Sequence, residues 1–222
     1  MSAAASLDRQ GPVFVLDLGD TENRFNFDSV DRLLSLLDEV DAAPGDKVLL
    51  TVATGKFWSN GLDLEWMLAN EIPLGSLVSR VQELFARVLE APYPTVAAIQ
   101  GHCYAGGGML ALAHDVRYMR EDRGFLCFPE VDIKMTFTAG MTSLLSAKLS
   151  AQTAHQAMVL GRRFTAPDAA AAGIIDLAVA ETELREGALA AASALAGKDP
   201  ATIGAIKTRL YSETLSLLRD AL

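Results

Sequence analysis

Apolar residues recur along the chain at two spacings, and the changes of spacing mark its elements. In "PVFVLDL" (12–18) apolar and polar positions alternate, the period of a strand with one covered face. Beyond Asp28 or Ser29, either of which can serve as N-cap, Val30, Leu33, Leu34, Leu37 and Val40 fall on one face at helical spacing. Asp38, Glu39 and Asp41 of that helix are left to solvent. "KVLLTVAT" (47–54) and "PTVAAIQ" (94–100) are β-branched and apolar on both faces, as strands covered on two sides are. Between them lie a polar, glycine-bearing loop, "GKFWSNGLD" (55–63), and a helix over 76–90.

"VRYM" (116–119) and "FLCF" (125–128) predict short strands, and residues 141–160 a helix. "TAPDAAAAGIID" (165–176) predicts a short helix, with Pro167 inside its start and Gly173 just past its end. The tail from Thr182 predicts two helices, the second capped by Asp199 with Pro200 at its first position. Strand, loop and helix thus alternate without a tandem repeat or linker. The 222 residues, 50% hydrophobic, predict one globular α/β domain.

Charge and cysteine usage narrow the function classes. A net charge of −9 argues against a surface that tracks nucleic-acid phosphates, which needs clustered Lys and Arg. No apolar run has the length of a membrane span, and the start, "MSAAASLDRQGP", lacks the regions of a secretory signal. The expected address is the cytoplasm. Cys103 and Cys127 have no metal-type spacing and read as two small buried hydrophobes.

"GHCYAGGGMLALAHD" (101–115) puts three glycines between an apolar strand and a helix. It is neither a Walker phosphate loop nor a dinucleotide fingerprint. Glycine at such a junction lets a ligand reach the main chain, where the first N–H groups of the helix are unpaired and its dipole is positive. Close strand–helix packing is the plainer reading of one such glycine. "GKFWSNGLDLEW" (55–66) also follows a covered strand and offers a main-chain N–H at Leu62. Two such donors on one oxygen make an oxyanion hole, which suits a thioester carbonyl.

"FWSNGLDL" resembles the F-S-A-G-x-D-[LI] turn of the enoyl-CoA hydratase/isomerase (crotonase) superfamily, and "GHCYAGGGMLALAHD" resembles its second signature. The resemblance runs in order from "PVFVLDL" through "GIID". It implies a crotonase-like (ClpP/crotonase) α/β spiral of repeated strand-strand-helix units with a helical C-terminal part. The catalytic core would then span 1–198 and a helical segment 199–222 would serve oligomerisation or cover the pocket. Partners would be an acyl-CoA thioester and further copies of the chain in a homotrimer or hexamer, with no nucleic acid or membrane.

Carried onto this chain, the family's oxyanion donors are the N–H groups of Leu62 and Gly107. Of the two glutamates that family hydratases use, the first position holds Leu110 and the second Glu130, in "FLCFPEVDIKM". One carboxyl group in an apolar pocket suffices to move a proton between two carbons of one substrate. The stretches are therefore most similar to single-acid enoyl-CoA delta-isomerases. That implies conversion of 3-enoyl-CoA to 2-trans-enoyl-CoA in fatty acid breakdown, with no metal and no cofactor beyond the substrate's coenzyme A. Hydration, thioester hydrolysis or decarboxylation by Glu130 alone, and a silent acyl-CoA binder, are the alternatives.

The resemblance further implies Arg24, Phe25, Asn60, Gly61, Asp63 and Leu64 on the coenzyme A side, with Asp63 bracing its turn. Trp66, Met67, Leu110 and Phe137 would line the acyl pocket. Hydratases continue with I-P-G-x-G-G where this chain has "IKMTFTAGMTSLL", a change that reshapes that pocket. His102, His114 and His155 share no ligand spacing and read as structural.

Overall fold

The computed structural model describes residues 5–220; positions 1–4 of the N-terminal stretch and 221–222 of the expected 199–222 segment lie outside the described residues. Strands β1 (Ser6–Gln10) and β2 (Val13–Asp17) form an antiparallel hairpin around Gly11. From there the chain winds in turns, each placing one strand in each of two sheets before a helix. β3 (Val48–Val52), β5 (Thr95–Ile99) and β7 (Val116–Arg120) go to a large sheet, and β4 (Phe57–Ser59), β6 (His102–Tyr104) and β8 (Leu126–Cys127) to a small one. With β9 (Leu177–Val179), the large sheet has the order β1-β2-β3-β5-β7-β9, parallel after its first pair. The small sheet, β4-β6-β8, is parallel throughout.

Helix α1 (Phe27–Ala42) follows the hairpin, α2 (Leu64–Ala69) and α3 (Leu74–Glu90) both follow β4, α4 (Gly106–Ala113) follows β6, and α5 (Ala139–Lys148) comes after β8. Their apolar faces and one face of the large sheet make the main core. On the sheet's other face Val13, Val15, Val48, Leu50, Val52, Val96 and Ala98 pack against Leu184, Ala188 and Ala192 of α8 (Glu181–Ala194). Burial on both faces explains why β3 and β5 are apolar except for Thr51 and Thr95. It also corrects the one-faced reading of 12–18, because Val13 through Leu16 are all buried.

Other expectations shift locally. The cap of α1 is Asn26, whose side chain accepts from the Ser29 N–H at 2.9 Å while the Ser29 hydroxyl accepts from the Asn26 N–H at 2.9 Å. Asp28 and Ser29 thus lie inside the first turn, where paired capping satisfies two end donors. Asp38 and Asp41 accept from Arg87 of α3 at 2.6 and 2.8 Å instead of facing only water. The predicted helix over 141–160 breaks at Leu149, after which α6 (Ala151–Ala154), capped by Ser150, runs into a wider π turn, His155–Val159. α7 (Ala166–Ala171) starts at the Thr165 cap. The tail holds α8, α9 (Pro200–Leu210) and α10 (Ser212–Arg219), one helix more than the periodicity predicts, because the chain turns at Tyr211. Leu215 and Leu218 of α10 belong to the main core.

Candidate active site

The turn before α2 is held by the segment before α1. Phe25 donates to the Gly61 carbonyl at 2.8 Å, and Asp63 donates to the Phe25 carbonyl at 2.9 Å, a parallel bridge between Phe25 and Leu62. These bonds use the residues flanking Leu62, so its own N–H points the other way. It has no acceptor among the described residues. Asp63 then caps α2, its carboxylate accepting from the Trp66 N–H at 3.1 Å.

The glycine stretch enters α4 through a forced corner. Ala105 has φ +49° and ψ −124°, a conformation that costs a residue with a Cβ about 1–3 kcal/mol. The Ala105 N–H to Cys127 carbonyl bond at 2.9 Å and the Met109 N–H to Ala105 carbonyl bond at 3.1 Å hold it. The N–H groups of Gly106, Gly107 and Gly108 open the helix, where no preceding turn supplies acceptors, and none has one among the described residues. The glycines also answer to packing. A Cβ on Gly107 would lie 2.6 Å from the Ser59 carbonyl oxygen, and one on Gly108 2.8 Å from the Phe128 ring.

Beside both turns opens a cavity of about 430 Å³ whose wall includes Leu62, Gly106 and Glu130. Pro129 starts a short 3-10 turn, Pro129–Val131, directly after β8 and Phe128, and this turn aims Glu130 inward. Glu130 is 7% exposed, and its Oε2 has no hydrogen-bond partner among the described residues. Burial pushes its carboxyl up to about 7, against a smaller opposing pull from its own backbone N–H. A buried carboxyl group with one free oxygen, beside two free amide turns, can exchange a proton near neutral pH with a molecule held between them.

Residues 9–220 match the family described as Enoyl-CoA hydratase/isomerase. This chain belongs to that family. It is 34% identical to Enoyl-CoA delta isomerase 2, peroxisomal, of Arabidopsis thaliana, over 96% of this chain and 94% of that protein. It is 37% identical to Enoyl-CoA delta isomerase 3 of the same plant, over 78% of this chain and 76% of that one. A solved structure of a probable enoyl-CoA hydratase from Mycobacterium tuberculosis superposes with a TM-score of 0.91 at 26% identity, covering 99% of this chain and 93% of that one. The crotonase fold and an enzyme of the enoyl-CoA isomerase/hydratase type are thereby established. The relatives named as peroxisomal lend no support to a cytoplasmic address, and no helix among the described residues is long and apolar enough to cross a membrane.

Within this crotonase fold the residues expected on the coenzyme A side divide between two cavities. Arg24 lines both. Phe25 and Asp63 line a neighbouring cavity of about 490 Å³, and Asn60 and Leu64 line the one with Glu130. Gly61 lines neither and packs on Ala105 and Gly106. Glu22, which sequence reasoning missed, pairs with Arg24 and accepts from the Asn60 amide at 3.3 Å. The Arg24 hydrogen bond is the chief reason its carboxyl lies below the usual range.

The expected acyl-pocket residues are a correction. None of Trp66, Met67, Leu110 and Phe137 lies on the cavity wall, which is built from Leu64, Val78, Val81, Met109 and Met141 among others. Successive helical residues point about 100° apart, so Met109 takes the cavity side of α4 and Leu110 turns into the core. Trp66 sets its ring edge-on to Phe27 at 5.9 Å, and Met67 and Phe137 pack with the core.

The histidines and cysteines stay outside the cavity wall. His114 is fully buried, bonded at 2.8 Å to both the Leu110 carbonyl and the Thr51 hydroxyl, and burial pulls its pKa down to about 4. Nδ1 therefore carries the proton, since a carbonyl only accepts. His102 bonds the Tyr104 hydroxyl at 2.9 Å between the Phe57 and Phe125 rings. Cys103 and Cys127 are free and buried, and burial raises both thiols. Among the described residues no three His, Cys, Asp or Glu side chains gather as metal ligands would.

Proposed function

We propose that this enzyme isomerises 3-enoyl-CoA to 2-trans-enoyl-CoA, with Glu130 as the proton carrier. The thioester carbonyl sits between Leu62 and Gly107. The Glu130 carboxylate removes a proton from C2, the electron pair moves toward the carbonyl oxygen, and the two N–H groups stabilise the dienolate. The same carboxyl group returns that proton to C4 as the C2–C3 double bond forms. Atoms and charge balance without a metal or a redox cofactor. Arg24, with Phe25 and Asp63, faces the coenzyme A portion from the neighbouring cavity.

The observation that carries this reading is Glu130 itself: one buried carboxyl group, its Oε2 without a partner among the described residues, on the wall shared with Leu62 and Gly106. The delta isomerases among its relatives agree with it. A homotrimer or hexamer belongs to the same reading, supported by Ile206 and Leu210 of α9, 57% and 67% exposed. The test is incubation with 3-enoyl-CoA and 2-enoyl-CoA separately, following double-bond migration and 3-hydroxyacyl-CoA. Migration without hydration is expected; hydration without migration overturns the reading.

A further inference from the structure

The cavity beside Glu130 has a closed floor and an open rim. Val78, Val81, Met109 and Met141 on its wall are buried, whereas Leu74 and Ile133 are 39% and 48% exposed. An acyl chain leading inward from the thioester position meets this floor. Next to Val81, on the far side of the wall, stands Gln82, fully buried and with both ends of its amide engaged. Its Nε2 donates to the Leu218 carbonyl of α10 at 3.1 Å, and its Oε1 accepts from the Thr138 hydroxyl. Thr138 caps α5, its hydroxyl oxygen accepting from the Met141 N–H at 3.1 Å. Thr138 and Met141 both line the cavity. One side chain therefore links α3, α5 and α10 directly behind the floor.

The link has no slack. A Cβ on Gly140 would lie 2.7 Å from the Leu217 carbonyl oxygen and 2.8 Å from the Leu218 Cα, so α5 rests backbone to backbone on α10. Ser143 and Thr214 hydrogen-bond at 2.8 Å across the same helix pair, and Arg219 of α10 pairs with Glu83 and Glu90 of α3. A buried amide costs free energy unless both its donor and its acceptor are matched. Here both are, at positions that permit one arrangement of the three helices.

We propose that Gln82 is a positioning residue for acyl-chain length. By fixing Val81 and Met141 against α10 it keeps the floor shut and limits the substrate to thioesters whose short or medium straight chain ends inside the cavity. This rests on the isomerase reading for the reacting end of the substrate. The volume of about 430 Å³ lies toward the lower end of the roughly 300–1,000 Å³ of small-molecule sites.

The test is kcat/KM for 3-hexenoyl-, 3-decenoyl- and 3-hexadecenoyl-CoA in the parent protein, Met141→Ala and Gln82→Leu. The parent should lose about tenfold or more between decenoyl and hexadecenoyl, and both variants should raise the hexadecenoyl-to-hexenoyl ratio by about tenfold. General loosening of the fold would lower all three rates without moving that ratio. If Gln82→Leu does not melt cooperatively, Thr138→Val, which keeps the Gln82–Leu218 bond but removes the hydroxyl's bonds to Gln82 and to the Met141 N–H, replaces it. Equal parent rates on all three chains, or an unmoved ratio in the folded variants, overturns the proposal. Affinities of the same acyl-CoAs for Glu130→Gln, with and without Met141→Ala, separate the two readings. A chain-length cut-off that Met141→Ala relieves, in a protein whose parent moves no double bond, sinks the isomerase reading and keeps this one.

Discussion

Gly61 and Ala105 touch across the two turns: a methyl group on Gly61 would lie 2.9 Å from the Ala105 Cβ and 3.0 Å from the Gly106 nitrogen. This contact sets the spacing between the free N–H of Leu62 and those that open α4. Gly61 also has φ +75°, a conformation glycine adopts at little cost. Gly61→Ala should therefore spread the two donors and cost about 1–3 kcal/mol of stability. Turnover should fall about 100- to 1,000-fold, as when one oxyanion donor is lost. Thermal melting and kcat on 3-enoyl-CoA check it; an unchanged kcat would separate the contact from the chemistry.

Glu130→Gln should abolish double-bond migration and leave acyl-CoA affinity within a few-fold, because only the proton carrier is removed. In the parent enzyme kcat/KM should rise with pH through about 7 along a single limb, since the carboxyl group must be ionised to take the C2 proton.

The same group links pH to stability. It ionises near 4.5 when unfolded and about 7 when folded, so between these values the folded protein keeps a proton that the unfolded chain has lost. Its contribution to stability therefore falls as pH rises across that window. Glu130→Gln, which has no charge to bury, should close part of the stability gap to the parent as pH rises from 4.5 to 8, by an amount on the order of 1–3 kcal/mol. Denaturant midpoints at both pH values measure it.

His114 acts in the opposite direction. Its folded value of about 4 lies below the ordinary 6.5, so the unfolded chain binds the extra proton, and stability present above pH 6.5 is lost as pH falls toward 4. His114→Gln should flatten that acid-side loss, at a cost of about 1–3 kcal/mol at pH 8 for disturbed bonds to Thr51 and Leu110. Melting curves between pH 4 and 8 would show it.

Lys207 staples α9 to the segments leading into β5 and β7, its ammonium group donating to Asp115 at 2.7 Å and to the Tyr93 carbonyl at 3.1 Å. Lys207→Met leaves a partly buried carboxylate without its cation and should cost about 3–5 kcal/mol. Lys207→Met with Asp115→Asn should recover part of that loss, and urea midpoints of the two variants distinguish them.

Much of the site was legible because its chemistry sits in short, contiguous stretches. "FWSNGLDL" and "GHCYAGGGMLALAHD" resemble the family's two signatures, and that resemblance, not local preference, put the expected donors at Leu62 and Gly107 and the expected acid at Glu130. The strands β4 and β6 were hidden in segments that read as loops, since a three-residue strand in a second sheet has too few positions to show a period. The six-residue α2 likewise gave no periodic signal.

What the sequence determined by itself was the α/β alternation and the apolar character of β3 and β5 on both faces. Those follow from interactions between near neighbours along the chain. The tertiary structure alone decided which side chains face the cavity, why Gly107 and Gly108 admit no Cβ, and that Gln82 reaches the C-terminal helix. Each depends on contacts between residues far apart in sequence. A helix can also present its apolar face to a core or to a ligand with the same pattern, so Leu110 and Met109 could be told apart only once α4 was packed.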